Sequence, residues 1–212
     1  MRMAELSARS GVPIPTIRYY MREGLIEPGE LTSPNQASYQ DSHVRALKLV
    51  RTLVEVGGLS IARVQAVLQF IRSKDAEVFP TLGGVQYALT QERDIVRDEV
   101  YEAAEARVQR LISERHWEIR PDNPARTSLA DGIATLTRLG HHDVIDKLDA
   151  YADAAHQLAK REVPDLFVRD SVESLAEGVI AYDILGDAVL SALRRLAQET
   201  ETAAHVRGQP AP

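Results

Sequence analysis

The side chains best suited to reading a nucleic acid lie close together near the start of the chain, in the segment TIRYY. Thr16, Arg18 and Tyr19 can donate hydrogen bonds to base edges or phosphates, and the forked guanidinium of Arg18 fits guanine or phosphate with two parallel bonds. Tyr19 and Tyr20 would point about 100° apart on a helix, so we expect Tyr19 to face phosphate and Tyr20 to pack inside. The alternative for Arg18 is an ion pair with Glu23 on an ordinary protein surface.

Two short helices would position this segment. An apolar pattern over residues 3–10 ends at the stop signal Gly11, which predicts a first helix. Pro13 and Pro15 are tolerated only in the first turn of a helix, so a second helix is expected to begin there and to run to Gly24. This spacing predicts a helix-turn-helix, whose second helix can enter the major groove of DNA.

A small β-hairpin is expected next, because residues 27–40 are polar and contain proline, glycine and asparagine. Two amphipathic helices follow it and close a first domain near residue 72. Their apolar stripes are Val44, Leu47, Leu49, Val50, Leu53 and Val54 in one helix, and Ile61, Val64, Val67, Leu68 and Ile71 in the other.

Composition excludes several classes of protein. With 44% hydrophobic and 26% charged residues, the 212-residue chain is neither fully disordered nor collagen-like. Because it has 0 Cys, it can form no disulfide, thiolate metal site or cysteine nucleophile. No apolar run reaches the ~20 residues of a membrane helix, and no hydrophobic signal segment is seen, so we expect a cytoplasmic protein without a membrane partner.

The charge is distributed unevenly along the chain. Residues 1–72 hold 9 Lys and Arg against 6 Asp and Glu, a net charge of +3, and the remainder holds 16 against 25, a net charge of −9. A basic part joined to an acidic part suggests that only the first part meets a polyanion. Chance drift of surface charge is the alternative.

The chain beyond residue 72 is expected to be helical. Residues 73–89 contain a proline and two adjacent glycines and are interpreted as a linker. Thr90 can cap a long helix over residues 90–117, whose seam suits a partner subunit but equally suits packing on its own domain. The residues of the seam are Val96, Val100, Ala103, Val108 and Leu111.

Residues 118–205 are expected to form a helical bundle, and residues 206–212 a disordered tail. Glycine or proline lies between the predicted helices of the bundle. The predicted helices cover residues 127–139, 143–162, 171–185 and 187–205.

Residues 1–72 resemble the MerR family of transcriptional regulators. The resemblance is carried by MRMAELSARSGV at the start, TIRYYMREGLI, Tyr39 before Gln40 and Asp41, and VRALKLVRTLVEVGGLSIARVQAVL. It implies an N-terminal winged helix-turn-helix with the β-hairpin as its wing, followed by a long dimerisation helix. Together with the helical bundle predicted from the apolar pattern, which could bind an effector or strengthen the dimer, the expected fold is mainly α.

The resemblance adds Arg2 and Tyr39 to Thr16, Arg18 and Tyr19 as DNA contacts, because the family also holds the duplex through its first helix and its wing. The alternatives are plain solvent exposure for Arg2 and packing within the wing for Tyr39.

The sequence departs from the family pattern twice. Ala37 stands where the wing commonly carries an arginine, so a phosphate contact is expected to be lost or moved. Pro13 replaces the small polar cap of the recognition helix, so the hydrogen bond of that cap must be made otherwise or forgone. Arg45 and Lys48 are interpreted as part of a solvated face.

Membership would imply a homodimer, with the helix at residues 90–117 pairing antiparallel with its copy on a pseudo-palindromic promoter. Many members bend and undertwist the promoter spacer so that RNA polymerase can engage both promoter elements, which exchanges deformation energy for phosphate contacts.

The effector is expected to be an organic small molecule. Tyr151, His156, Tyr182 and Asp183 lie near apolar stripes and could line a pocket for it, although boundary packing explains them as well.

The single metal-like cluster consists of His141, His142, Asp143 and Asp146. Adjacent histidines diverge on a helix, so we expect a capping or surface role and no metal or cofactor.

The function predicted from the sequence is that of a dimeric, sequence-specific DNA-binding transcriptional regulator that responds to an organic molecule through its C-terminal helical domain. The alternative is a protein that sequesters a small molecule and binds DNA secondarily. The chain has no phosphate-cradling glycine loop, HExxH or GxSxG motif, so we do not expect an enzyme.

Overall fold

The computed structural model describes residues 1–33, 36–72, 78–90 and 94–208, and the fold described there is mainly helical. The chain forms two compact units, Met1–Leu89 with Asp170–Pro212 and Thr90–Arg169. None of the described helices is both long enough and apolar enough to cross a membrane. The first unit therefore joins the N-terminal domain to the last helices of the chain.

Helices α1 (Met3–Ser10) and α2 (Ile14–Arg22) form the helix-turn-helix. The chain turns between them at Gly11, whose φ of +70° lies in the left-handed region that favours glycine. Leu6 and Ile17 are fully buried, so each helix turns one apolar side inward. The mainly α fold with a helix-turn-helix and a following hairpin confirms the sequence prediction.

Strands β1 (Glu30–Ser33) and β2 (Gln36–Ser38) form the predicted antiparallel hairpin. Glu30 pairs with Ser38 and Leu31 with Ala37, and the register shifts between Leu31 and Ser33. The turn at residues 34–35 lies outside the described residues.

Two further helices complete the DNA-binding region. Helix α3 (Asp41–Arg51) continues into a π-helical turn (Thr52–Val56), and helix α4 (Ile61–Arg72) follows. The predicted apolar stripes supply the core, and their fully buried or nearly buried members are Val44, Leu47, Val50, Leu53, Val64, Val67 and Leu68.

The segment interpreted as a linker contains helix α5 (Val78–Leu89), so the linker prediction over residues 73–89 is corrected there; residues 73–77 lie outside the described residues. Helix α5 packs against α4. A Cβ atom on Gly84 would lie 2.5 Å from the ring of Phe70. The glycine therefore lets two helices approach closely and does not end one.

Helix α6 (Glu99–Glu114) begins nine residues later than Thr90, the predicted cap. Its actual cap is Asp98, whose carboxylate accepts hydrogen bonds from the Tyr101 backbone N–H at 2.9 Å and from Arg138 at 2.7 Å. These two bonds, the backbone bond first, hold the pKa of Asp98 below its ordinary value. The sequence prediction missed this cap because Thr90 and Asp98 are both acceptable cap residues.

The second unit is built by α6 with helices α7 (Pro124–Arg138), α8 (His142–Ile145) and α9 (Leu148–Leu166). Val108 and Leu111 of the predicted seam are buried, whereas Ala103 is exposed. Val100 also packs against the core of the unit, so three of the five seam residues are used within it. The core of the unit consists of Tyr101, Ala104, Val108, Ala130, Ile133, Ala134 and Ile145.

The last helices belong to the first unit, so residues 118–205 do not form the single domain that the sequence suggested. Helix α10 (Val172–Ile180) packs on α4 and α5, and a second π-helical turn (Ala181–Gly186) links it to helix α11 (Asp187–Arg207). The apolar side of α10, which includes Leu175, Ala176, Val179 and Ile180, is buried there.

The two π-helical turns pack on each other. A Cβ atom on Gly57 would lie 2.8 Å from Cδ1 of Ile184, so this glycine also marks a close approach. Helix α11 ends at Gly208, with a φ of +66°, so residues 206 and 207 of the predicted tail are helical, and residues 209–212 lie outside the described part of the chain.

Candidate nucleic-acid interface

Helix α2 has one buried side and one cationic side. Ile17 and Tyr20 are buried, as expected for Tyr20, and burial is the main cause that raises the pKa of Tyr20 above its ordinary value. Arg18 is exposed, and Thr16 and Tyr19 are half-buried beside it. The predicted contact residues of α2 therefore share the outward half of one helix.

The guanidinium of Arg18 makes no ion pair or hydrogen bond with any residue that the structure describes. Glu23, the partner considered from the sequence, instead lies 3.8 Å from Arg22. Arg22 also lies over the Tyr19 ring, with its guanidinium carbon 5.3 Å from the ring centroid. Arg22 was not predicted as a contact, although its position four residues after Arg18 places both on one face.

The turn between α1 and α2 is braced by side chains of α1. The hydroxyl of Ser7 donates to the Val12 carbonyl at 2.7 Å, and the Val12 N–H donates to the hydroxyl of Ser10 at 3.3 Å. Pro13 makes no capping hydrogen bond, because its side chain has no polar atom. These two serines therefore fix the entry to α2 without a cap of the usual kind.

The end of α2 is tied to α4. Arg72 donates to the carbonyls of Gly24 at 3.1 Å and Leu25 at 2.7 Å, and the Gln65 amide donates to the Glu23 carbonyl at 2.7 Å. Gly24 has a φ of +71° and ends the helix. Arg72 is therefore a positioning residue for α2, a role that no spacing in the sequence indicated.

The wing is joined to the start of the chain through Tyr39. The amino group of Met1 donates to the Tyr39 carbonyl at 2.7 Å, and the Tyr39 N–H donates to the Met1 carbonyl at 2.9 Å. The Tyr39 ring is only 7% exposed and packs so closely on Gly29 that a Cβ atom there would lie 2.6 Å away. The Tyr39 ring therefore packs against the wing, and the bonds to Met1 bring the exposed Arg2 next to the wing.

The other cations of the region divide into paired and free groups. Arg9 pairs with Asp41 at 2.8 Å and Arg51 with Glu55 at 2.7 Å. Within the described residues, no ion pair or hydrogen bond is made by the side chains of Arg2, Arg18, Arg45 or Lys48.

Known proteins share both this region and the whole fold. Residues 1–71 match the MerR HTH family of regulatory proteins. The "HTH-type transcriptional regulator HmrR" of Rhizobium leguminosarum bv. viciae is 30% identical over 134 residues, which cover 62% of this chain and 99% of that protein. The chain belongs to the MerR family of transcriptional regulators.

Two further relatives agree with that assignment. The "Heavy metal-dependent transcription regulator 2" of Rhizobium meliloti (strain 1021) is 28% identical over 137 residues, covering 64% of this chain and 90% of that protein. A candidate transcriptional regulator of Streptomyces coelicolor A3(2), known from a crystal structure, is 33% identical with a TM-score of 0.72, and 96% of each chain is matched. This MerR-family chain is thus a DNA-binding transcriptional regulator.

A cleft of about 250 Å³ lies between α3 and the turn that follows α10. Arg45 and Lys48 bring two positive charges to it, and the exposed fraction of both side chains is high. The rest of its lining is mostly apolar and consists of Leu49, Thr52, Glu177, Ile180, Ala181 and Leu185.

The predicted ligand residues fall into different units. Tyr151 and His156 are exposed on α9 in the second unit, where the ring of His156 stacks on Trp117 with centroids 5.9 Å apart. Tyr182 and Asp183 are half-buried in the second π-helical turn of the first unit. Neither unit alone holds all four residues.

The metal-like cluster is dispersed on the surface. His141, His142, Asp143 and Asp146 are all exposed around α8. Within the described parts of the chain, no group of three or more histidine, aspartate or glutamate side chains is placed to hold a metal ion.

Proposed function

We propose that this MerR-family regulator reads promoter DNA with the outward side of α2. The observation that carries the proposal is the exposed guanidinium of Arg18 on that side, next to Thr16 and Tyr19, which pairs with none of the described residues. A solvated arginine without a protein partner keeps all five donors available for guanine or phosphate. Neighbouring cations such as Arg51 and Arg72 are already engaged with the protein.

Contacts to the DNA backbone would come from the residues beside the wing. The Met1–Tyr39 bonds support a role for Arg2 beside the wing, where its charge can meet a phosphate. Burial of the Tyr39 ring favours a positioning role for this residue over a direct side-chain contact. Phosphate contacts of this kind would set the register of α2, and Arg18 would read the bases.

The working form is proposed to be a homodimer on a pseudo-palindromic site. Two copies can place their α2 helices in major grooves about 34 Å apart, one helical turn of DNA, and so double the contact surface. Engagement of RNA polymerase on a deformed promoter is proposed from family membership.

The effector is proposed to be an organic anion with an apolar body, bound in the cleft between α3 and the turn after α10. Arg45 and Lys48, which pair with none of the residues that the structure describes, lie beside Leu49 and Ile180 and match a carboxylate joined to a hydrocarbon. Because α3 leads directly out of the wing, a ligand that holds α3 and α10 together would shift the population of wing positions.

The name of one relative raises heavy metals as an alternative effector. Soft thiolate ligands suit such metals, and this chain has 0 Cys. Arg45 and Lys48 also bring two positive charges to the cleft against the one negative charge of Glu177, so its net charge disfavours a cation. Both observations favour an organic anion for this member.

Two linked measurements test the proposal. The purified chain is incubated with fragmented genomic DNA of its source at near-physiological salt, and retained fragments are sequenced. We expect a shared inverted repeat within promoter spacers, and loss of its enrichment for Arg18→Ala. Retention without a shared motif would contradict sequence-specific regulation.

The effector is tested with octanoate and benzoate as probes. We expect them to raise the midpoint of thermal unfolding and to change operator affinity, and we expect Arg45→Ala with Lys48→Ala to remove both effects while Arg110→Ala keeps them. Tight binding of a probe without occupancy of any promoter would instead favour the sequestration function.

A further inference from the structure

The cleft between α3 and the turn after α10 carries charges of both signs. Arg45 and Lys48 lie on the α3 wall, and Glu177 lies on the α10 wall. The two cations are exposed, and Glu177 is half-buried. None of these three side chains forms an ion pair or a hydrogen bond with any residue that the structure describes. Opposite charges therefore line one small cleft without neutralising each other.

The charges belong to the same end of the cleft. On the α3 wall, both cations precede Leu49 in the chain. On the other wall, Glu177 precedes Ile180 and Leu185. Each wall then leads into a π-helical turn, and the two turns pack on each other. The C-terminal ends of both walls therefore meet, and the charged N-terminal ends lie together at the other end of the cleft.

The carboxylate of Glu177 limits which ligands fit well. If a fatty acid filled the cleft, its carboxylate would pair with Arg45 and Lys48, but its chain would also remove water from Glu177. A carboxylate that loses water and gains no partner carries a desolvation cost. A ligand that brings an ammonium group to Glu177 offsets this cost with a charge-assisted hydrogen bond. The cleft therefore fits a ligand with charges of both signs better than a plain anion.

The size of the cleft requires the two ligand charges to be close together. Its volume is about 250 Å³, below the range of about 300–1,000 Å³ that is typical of pockets for drug-sized ligands. The apolar part of the ligand would contact Leu49, Ile180 and Leu185. Leu185 is 42% exposed, so the ligand would cover apolar surface that the protein leaves in water. An α-amino acid with an apolar side chain has this arrangement of groups.

We propose that the cleft binds an α-amino acid with an apolar side chain, whose carboxylate pairs with Arg45 and Lys48 and whose ammonium group pairs with Glu177. The inference rests on the proposed effector cleft and narrows its ligand to one that carries an ammonium group next to the carboxylate. Glu177 is then the residue that distinguishes an amino acid from a fatty acid, because the two cations bind the carboxylate of either.

The first test uses three probes with the same eight-carbon chain: L-2-aminooctanoate, octanoate and octylamine. Each probe is titrated into the full chain near neutral pH, and calorimetry measures its dissociation constant. We expect L-2-aminooctanoate to bind about tenfold or more tighter than octanoate, because it adds one charge-assisted hydrogen bond. Octylamine should bind most weakly, because its ammonium group meets two cations and brings no carboxylate to them.

Glu177→Gln tests the residue that carries the inference. The change keeps the size of the side chain and removes its charge, so the affinity for L-2-aminooctanoate should fall about tenfold or more. The affinity for octanoate should stay the same or rise, because a like charge is removed. Binding of octanoate also verifies that the rest of the cleft is intact in this variant.

Glu105→Gln is the matched control for that substitution. Glu105 is an exposed carboxylate on α6, in the other compact unit. The same change of charge there should leave the affinities for all three probes as they are in the wild-type chain. A thermal melt of both variants verifies that they fold.

The outcomes separate this inference from the proposed cleft. Tighter binding of L-2-aminooctanoate than of octanoate, with the difference removed by Glu177→Gln and kept by Glu105→Gln, supports the inference. Equal affinities for the two probes, or a difference that Glu177→Gln leaves intact, would overturn it and keep the cleft for organic anions. Failure of both probes to bind would contradict the cleft itself, and the inference with it.

Discussion

Helices α2 and α11 belong to the same compact unit and are both amphipathic, yet they leave opposite sides free. Helix α2 buries Ile17 and Tyr20 against its own unit and exposes Arg18. Helix α11 exposes its charged side and also its apolar side, including Val189 and Leu193. The apolar side of α2 is buried by its own unit, whereas the apolar side of α11 is exposed.

The free side of each helix indicates what it binds. An exposed cation without a protein partner costs little in water and gains when it meets a polyanion, because counterions are released from the nucleic acid. An exposed apolar stripe is unfavourable in water and gains when it meets another apolar surface. The difference favours a polyanion as the partner of α2 and an apolar surface as the partner of α11.

The largest expected effect compares a buried apolar residue of α2 with an exposed apolar residue of α11. Ile17→Ala should lower the free energy of unfolding by about 2–5 kcal/mol, because Ile17 is fully buried and the truncation leaves a cavity. Leu193→Ala should lower it by less than about 0.5 kcal/mol when measured well below the dimer dissociation constant. Urea unfolding followed by circular dichroism measures both.

Raising the protein concentration sharpens that result. If the proposed homodimer uses the apolar side of α11, Leu193→Ala should cost more stability above the dimer dissociation constant than in dilute protein, since dimerisation stabilises the folded state by mass action. The cost of Ile17→Ala should not depend on concentration. Equal, concentration-independent losses for the two variants would mean that α11 is covered within its own chain.

The next effect concerns the cationic side of α2. Arg18→Ala should weaken binding to the selected operator by about 1–3 kcal/mol per half-site, because a bidentate base contact is lost, with an unchanged thermal melt. Fluorescence anisotropy with a labelled operator measures the affinity, and Arg110→Ala, an exposed arginine of α6, is the control. An unchanged operator affinity would remove Arg18 from the reading surface.

The sequence was sufficient for the elements that repeat a local pattern. Gly11, Pro13 and Pro15 bounded α2, and the angle of about 100° between Tyr19 and Tyr20 on a helix predicted that Tyr20 packs inside. The hairpin and α4 followed from turn formers and an apolar stripe in the same way. Each of these features is set by residues that are close in the chain.

The features that the sequence did not predict depend on residues far apart in the chain. Arg72 holds α2 through bonds to Gly24 and Leu25, 48 and 47 residues away, and no local spacing indicates such a bond. In the sequence, Gly84 of α5 is typical of a helix end. The structure shows that it lies against the Phe70 ring instead. Helix α10 joins the first unit because its stripe fits α4 and α5, and a periodic pattern does not say which surface will cover it.

The smallest expected effect separates the two free sides by their response to salt. The logarithm of operator affinity should fall linearly with the logarithm of salt concentration, and Arg2→Ala should reduce that slope by about 0.9 per protomer, because one phosphate contact is lost from each copy. The dimer dissociation constant should change little over the same range, since an apolar contact is not screened. Anisotropy with the operator and sedimentation of the protein alone provide the two measurements.

The salt experiment also tests the wing assignment. The bonds between Met1 and Tyr39 bring Arg2 next to the wing, so Gly29→Ala, which forces the Tyr39 ring to move, should reduce the slope as Arg2→Ala does. The double variant should lose no further slope, because both changes remove the same phosphate contact. Additive losses would instead mean that the wing holds DNA through a group other than Arg2, and a slope that Arg2→Ala leaves unchanged would confine the cationic surface to α2.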